Sequence, residues 1–265
     1  MGFIRTIVKQ GLNFRNRFDL DQPKAFDLQT KVLRQLVEKA RYTRFGKEHN
    51  FESLYFSKNL VEDYRNSVGV HSYSSMHDYW QLALNGEKDV TWPGAVKYFA
   101  LSSGTSEGAS KFIPVTQDMV KAIKKASIGQ LIAIARSKVP ADVMTKDNLI
   151  LPGSIDLNFN GYAHYGDLSG ITAGNQPKWF EIFTKPERVI LKTKDWEQKL
   201  QQIVNEAHKW DVGMVAAVPA WLQILCERII EHHKLNNIHE IWPNFEVYIH
   251  GGVSFEPFKK AFEPL

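Results

Sequence analysis

The segment with the clearest chemical potential lies at residues 102–114, where hydroxyl side chains, glycines and a lysine are concentrated. It reads Ser-Ser-Gly-Thr-Ser-Glu-Gly-Ala-Ser-Lys-Phe-Ile-Pro, with Lys111 three positions after Gly108. Glycines let backbone amides turn toward an anion, hydroxyls add hydrogen-bond donors, and a lysine supplies a compact positive charge. These groups suit a polyphosphate, although in a Walker A loop the lysine directly follows the second glycine.

The flanking residues predict how this segment is held. Residues 96–101 form an apolar run typical of a strand, and 111–115 form a second short extended piece. Thr116 is a typical N-cap, so a helix is expected to follow it. Its predicted buried face consists of Val120, Ile123, Ser127, Leu131 and Ile134. The segment is therefore predicted to be a strand–loop–strand; the alternative is a Ser/Gly-rich surface loop with a solvated lysine.

The pattern of apolar residues divides the chain into a helical part and an α/β part. Residues 1–92 read as helical, and after Pro93 the character changes. Short apolar runs then alternate with amphipathic helical stretches, at 96–101, 149–151, 195–209, 213–218, 219–233 and 245–249. Such alternation favours βαβ crossovers. We predict an α/β fold with a largely parallel sheet flanked by helices, in which 1–92 and 93–265 are parts of one domain.

Composition excludes several classes of protein. The 265 residues include 33 basic and 29 acidic side chains, and this net charge of +4 is too small to indicate a nucleic-acid partner. Cys226 is the single cysteine, which excludes an intrachain disulfide framework. It lies on the apolar side of its predicted helix, so we expect a buried, unreactive thiol. Adjacent His232 and His233 point about 100° apart on a helix, so no metal site is expected. No apolar run is long enough for a membrane span, and we expect a cytoplasmic protein.

Residues 102–114 resemble the nucleotide-binding loop of the adenylate-forming enzymes. The double serine at the head and Lys-x-x-Pro at the end are similar to one branch, the auxin-responsive Gretchen Hagen family of acyl-acid amido synthetases. Phe45-Gly46-Lys47 after a long helix also resembles this family. Val218-Pro219 before a helix is similar to the family's segment beside the acyl pocket. His250-Gly251-Gly252 after a strand is similar to the family's turn that contacts the adenine. The resemblance extends over the whole chain.

The resemblance implies a two-step ligase. ATP and a carboxylic acid would form an acyl-adenylate, and an amino acid would then attack the acyl carbon. The nucleotide-binding residues that the resemblance implies are Ser102, Ser103, Gly104, Thr105, Ser106, Gly108, Lys111, Gly251 and Gly252. It also implies a catalytic role for Lys111 and places Val218 and Pro219 at the acyl pocket.

Two motifs of the family do not occur in this sequence. One is Tyr-x-x-Ser-Glu, whose glutamate helps to bind magnesium, and the other is Tyr-Arg-x-Gly-Asp, whose aspartate holds the ribose. Family members are much longer, so we expect this chain to be the N-terminal half, with the magnesium ligand beyond residue 265 and no activity by itself. The alternatives are a related ligase that passes the acyl group to coenzyme A, or a catalytically inactive binding module.

Overall fold

The computed structural model describes residues 24–102, 110–140 and 142–265, which fall into two compact units. The described residues of the hairpin unit lie in Leu20–Lys121 and Leu157–Leu168, and those of the parallel-sheet unit lie in Ala122–Asp156 and Ser169–Leu265. The sequence-based division into residues 1–92 and 93–265 describes two parts of one domain, and it stays a prediction.

The hairpin unit begins with a series of helices. They are α1 (Ala25–Ala40), α2 (Arg44–Glu48), α3 (Phe51–Phe56), α4 (Leu60–Val68) and α5 (Tyr73–Leu84). Local caps set their starts: the Thr43 hydroxyl accepts a hydrogen bond from the Gly46 amide before α2, and Ser72 and Ser75 form a capping box at α5. Val37, Leu54 and other apolar side chains on the inner faces of these helices form a common core.

A four-stranded mixed sheet completes the hairpin unit. Its strands are β1 (Tyr98–Ser102), β2 (Lys111–Val115), β4 (Asn158–Phe159) and β5 (His164–Gly166), in the order β2-β1-β5-β4. Strands β1 and β2 are antiparallel and β1 is parallel to β5. Phe99, which is fully buried, anchors β1 in a second core cluster of this unit.

Both strands predicted around the chemical segment are therefore confirmed, but they do not join the parallel sheet. The nearest neighbour of β1 in the chain is β2, and a parallel pair needs a crossover of about a dozen residues or more. The short connection between Ser102 and Lys111 allows only the antiparallel arrangement.

Helix α6 (Gln117–Ala135) begins where the sequence predicts. The Thr116 hydroxyl accepts a hydrogen bond from the Met119 amide at 3.1 Å, which confirms the N-cap. The predicted buried face is correct for Val120 but wrong for Ser127, which is exposed.

The parallel-sheet unit is built on four parallel strands. They are β3 (Asp147–Ile150), β6 (Thr184–Lys185), β7 (Val212–Ala216) and β8 (Val247–Ile249), in the order β6-β3-β7-β8. Each neighbouring pair is parallel. This confirms the predicted parallel sheet, and the apolar runs at 149–151, 213–218 and 245–249 correspond to β3, β7 and β8.

Helices pack around this sheet. They are α7 (Leu168–Gly174), α8 (Lys178–Glu181), α9 (Arg188–Leu191), α10 (Trp196–Glu206), α11 (Pro219–His233) and α12 (Lys259–Phe262). Leu149, Leu200 and Leu222 are fully buried in its core, and each such side chain contributes about 1.5–3 kcal/mol. Within the described ranges, no helix is long and apolar enough to cross a membrane.

Candidate active site

An open cleft lies at one edge of the parallel sheet. Because β3, β7 and β8 are parallel, their carboxyl ends meet there, and the residues that follow each strand line a cleft of about 370 Å³. Pro152 follows β3, Val218 follows β7, and Gly251 follows β8. Ligands of open α/β sheets bind outside the carboxyl ends of the strands, and the volume is in the range of small-molecule sites. The cleft is therefore a candidate binding site.

The turn after β7 contains the two residues predicted at the acyl pocket, and only one of them lines the cleft. Val218 is extended, with φ −70° and ψ 138°, and lines the cleft. Pro219 occupies the first position of α11, where its missing amide costs no helical hydrogen bond, and its side chain is buried. The acyl-pocket role of both residues stays a prediction.

The turn after β8 contains the two predicted glycines. A Cβ atom on Gly251 would meet no other atom within 4 Å, so its backbone borders open space. Gly252 has φ +85°, a conformation that residues with side chains rarely adopt. The backbone of this turn is exposed, as an adenine-contacting turn requires, and the assignment to adenine stays a prediction.

Tyr248 fixes the spacing between the β7 and β8 turns. Its hydroxyl donates a hydrogen bond to the carbonyl of Ala217 at 3.1 Å. Burial raises the pKa of Tyr248 to about 12, so the hydroxyl keeps its proton at physiological pH. The ring of Tyr248 lies 5.4 Å from that of His250, which lines the cleft.

Helix α7 forms a further wall of the cleft that sequence reasoning missed. Ser169 belongs to this helix, and its hydroxyl accepts a hydrogen bond from the Gly153 amide at 3.0 Å. A Cβ atom on Gly170 would lie 2.2 Å from the Ser154 carbonyl oxygen, so only glycine permits this approach. The helix has seven residues, too few for a periodic apolar signal.

A smaller apolar cavity adjoins the same segment of the chain. It has a volume of about 140 Å³ and is bordered by Ile123 and Leu131 of α6 and by Trp179 and Phe180. Ser127 lines it too, which explains why this part of α6 is not packed in the core. The residues common to the cleft and the cavity are Thr172 and Gln176.

The predicted phosphate-binding segment belongs to the hairpin unit. Ser102 and Lys111 lie opposite each other as the last residue of β1 and the first of β2, and the Lys111 side chain is exposed. The other predicted residues lie outside the described ranges: Ser103, Gly104, Thr105, Ser106 and Gly108. Val218, Pro219, Gly251 and Gly252 belong to the parallel-sheet unit.

The remaining candidate groups have structural partners. Among the described residues, no group of three or more histidine, cysteine or acidic side chains could hold a metal ion. The Nε2 atom of His233 lies 2.9 Å from the Val204 carbonyl oxygen. Cys226 is buried as predicted, and burial raises the pKa of its thiol to about 12.

Solved structures of acyl acid amido synthetases share this fold. One, described as GH3.15 acyl acid amido synthetase, matches with a TM-score of 0.68 at 14% identity, over 97% of this chain and 54% of that chain. A second, described as AtGH3.15 acyl acid amido synthetase in complex with 2,4-DB, matches with a TM-score of 0.56 at 19% identity, over 77% and 36%. The chain thus has the fold of part of this class of enzyme and spans about half the length of the first structure.

The family model described as GH3 family N-terminal domain matches residues 14–204 and 156–265. The chain therefore belongs to the GH3 family, which confirms the resemblance noted in the sequence. No match was found among curated protein sequences.

Proposed function

We propose that this chain is part of an ATP-dependent acyl acid amido synthetase of the cytoplasm. A carboxylate oxygen would attack the α-phosphorus of ATP, and the bond to pyrophosphate would break. The amine of an amino acid would then attack the acyl carbon, lose a proton and release AMP. The observation that carries the proposal is the cleft at the carboxyl ends of β3, β7 and β8, together with membership of the GH3 family.

The two cavities of the parallel-sheet unit suggest the class of acid. A dry engineered cavity of about 150 Å³ holds one benzene molecule, and the apolar cavity beside Trp179 and Leu131 has about 140 Å³. Thr172 and Gln176 border both this cavity and the cleft, whose lining also includes the polar residues Ser169 and His250. An acid with one aromatic ring would place the ring in the cavity and direct its carboxylate toward the cleft.

In the hairpin unit, Ser102 and Lys111 are proposed to contact phosphate. The ammonium of Lys111 is exposed at the start of β2 and would neutralise part of the charge that develops on the departing pyrophosphate. Magnesium would neutralise the triphosphate further, but the described residues offer no cluster of ligands for it. The roles proposed here therefore use only the side chains and backbone of this chain.

Release of pyrophosphate that depends on the acid tests the proposal. The natural protein that contains this sequence would be incubated with ATP, magnesium and a panel of phenyl- and phenoxy-substituted acids, with long-chain fatty acids for comparison. We expect faster release with the single-ring acids, and amide products when amino acids are added. Products with coenzyme A instead would identify a thioester ligase. An absence of acid-dependent release with every acid would favour a binding module.

Replacement of the loop lysine tests the phosphate contact. Lys111→Ala removes a charge-assisted contact of about 1.5–3 kcal/mol, so adenylation should fall by about ten- to a hundredfold or more. Lys97→Ala is the matched control, because Lys97 is also exposed and lies immediately before β1. Equal rates of pyrophosphate exchange in the two variants would mean that Lys111 is merely solvated.

A further inference from the structure

Tyr73 contacts both the backbone and the side chain at the lysine end of the hairpin. We propose that Tyr73 is a positioning residue for Lys111: it fixes the start of β2 and confines the lysine ammonium beside its ring. The inference rests on the phosphate contact proposed for Lys111, and it adds a residue that the loop motif does not contain.

The first contact holds the backbone of an edge strand. Among the described residues, β2 is the outermost strand of the mixed sheet, and backbone groups on its outer side have no strand partner there. The Phe112 amide donates a hydrogen bond to the Tyr73 hydroxyl at 3.1 Å. This hydrogen bond is partly buried, and a backbone amide that is shielded from water costs free energy if it has no partner. The tyrosine thus fixes the peptide group that directly follows Lys111.

The second contact holds the side chain of the lysine itself. The Nζ atom of Lys111 lies 5.2 Å from the centroid of the Tyr73 ring, within the distance of about 6 Å at which a ring attracts a cation. Within the described ranges, no carboxylate forms an ion pair with this ammonium. Because a lysine side chain has many rotamers, confinement by the ring lowers the entropy cost of binding an anion.

Tyr73 can position another residue because it is itself held. It is the first residue of α5, directly after the capping box in which Ser72 and Ser75 exchange hydrogen bonds between side chains and backbone amides. The Trp80 ring packs against the tyrosine ring at 5.3 Å and 61°. One residue at the start of a capped helix therefore determines the position of both the peptide after Lys111 and its ammonium.

Nuclear magnetic resonance tests the contact without any nucleotide. The ε-methylene protons of Lys111 should show an upfield ring-current shift in the wild-type chain and in Tyr73→Phe, which keeps the ring. Tyr73→Leu should abolish the shift. Absence of the shift in the wild-type chain would overturn the inference, whatever Lys111 does for ATP.

Affinity for ATP in the natural protein tests the consequence. Tyr73→Leu should weaken binding by about two- to fivefold, the size of an exposed cation–π contact, and Tyr73→Phe should bind more tightly than Tyr73→Leu. In a Lys111→Ala background, the Phe and Leu variants should bind ATP equally. Tyr42→Leu is the matched control, because the exposed Tyr42 ring lies 4.6 Å from the Arg41 guanidinium and should leave ATP affinity unchanged.

The outcomes separate this inference from the proposed function. A difference between the Phe and Leu variants that persists without Lys111 would show that Tyr73 acts independently, which overturns the inference. If Lys111→Ala binds ATP as tightly as the wild type does, and the wild-type chain shows the ring-current shift, the phosphate contact is refuted but the positioning of the lysine is supported. Circular dichroism would reveal whether Tyr73→Leu fails to fold. In that case, the ATP affinity of Tyr73→Phe is compared with that of Tyr73, once with Lys111 present and once with Lys111→Ala. A penalty for Tyr73→Phe that vanishes with Lys111→Ala supports the inference, and one that remains contradicts it.

Discussion

The two adjacent glycines after β8 should respond to substitution in opposite ways. Gly252 has φ +85°, and a side chain in the left-handed region costs about 1–2 kcal/mol. Space is not the obstacle, because a Cβ atom there would meet only Val218 at 3.6 Å, an ordinary contact. With a shift of about 2–4 °C per kcal/mol for a folding unit of this size, Gly252→Ala should lower the melting temperature of this part of the protein by about 2–8 °C.

Gly251 should behave as a probe of the ligand instead. Its φ lies outside the left-handed region and its Cβ position is open, so Gly251→Val should leave the melting temperature unchanged. The new side chain would project into the cleft. If the base of a nucleotide lies against this backbone, steric accommodation should cost about 1–3 kcal/mol, which weakens nucleotide binding by a factor of about 5–150.

Scanning calorimetry and isothermal titration with ATP measure the two effects in the natural protein. Gly251→Val should show the binding defect with a wild-type melting temperature, and Gly252→Ala the lower melting temperature. A Gly251→Val protein that binds ATP normally would refute the assignment of this turn to the nucleotide. A melting temperature that falls equally in both variants would contradict the backbone argument.

Two further predictions concern the packing of the parallel-sheet unit. Gly170→Ala should destabilise the protein by about 1–3 kcal/mol, because the new Cβ atom would lie 2.2 Å from the Ser154 carbonyl oxygen. Gly174→Ala in the same helix is the control: its Cβ atom would lie 3.6 Å from Ile155, an ordinary contact, so the melting temperature should not change. Equal melting temperatures would contradict the close approach. The Cys226 thiol should react with a disulfide reagent at pH 8 only after unfolding. Rapid reaction of the native protein would contradict the burial of the thiol. Because burial raises the pKa of Cys226 from 9.0 to about 12, the stability gained by burying the neutral thiol should be complete below pH 9 and lost as the pH rises toward 12.

The parts of the fold that follow from the sequence are those with local signals. Thr116 has the chemistry of an N-cap, and Pro219 is typical of the first residue of a helix, so α6 and α11 begin where they are predicted. The hairpin was predictable for the same reason, since an extended piece on each side of a short loop leaves few arrangements. In each case the stabilising interaction lies within a few residues of the position that it determines.

The parts that do not follow from the sequence depend on distant contacts. Strand β5 has three residues, and its pairing with β1 joins His164 to Tyr98, which are far apart in the chain. No local pattern marks so short a strand. The cleft is likewise made of three turns and a helix that only the parallel sheet brings together, so the sequence indicated Val218 and Gly251 but not Thr172 or Gln176.

The short helix α7 connects the packing of the parallel-sheet unit with its chemistry. Thr172 lies within this helix and Gln176 lies two residues after its end, and both residues border the cleft and the apolar cavity. Gly170 in the same helix holds it against the loop after β3 through a contact that tolerates no side chain. A displacement of α7 would therefore change the wall of both cavities at once. For a ligand whose ring and carboxylate occupy different cavities, as proposed above, this segment would set the distance between the two binding regions, and hence the length of acid that is accepted.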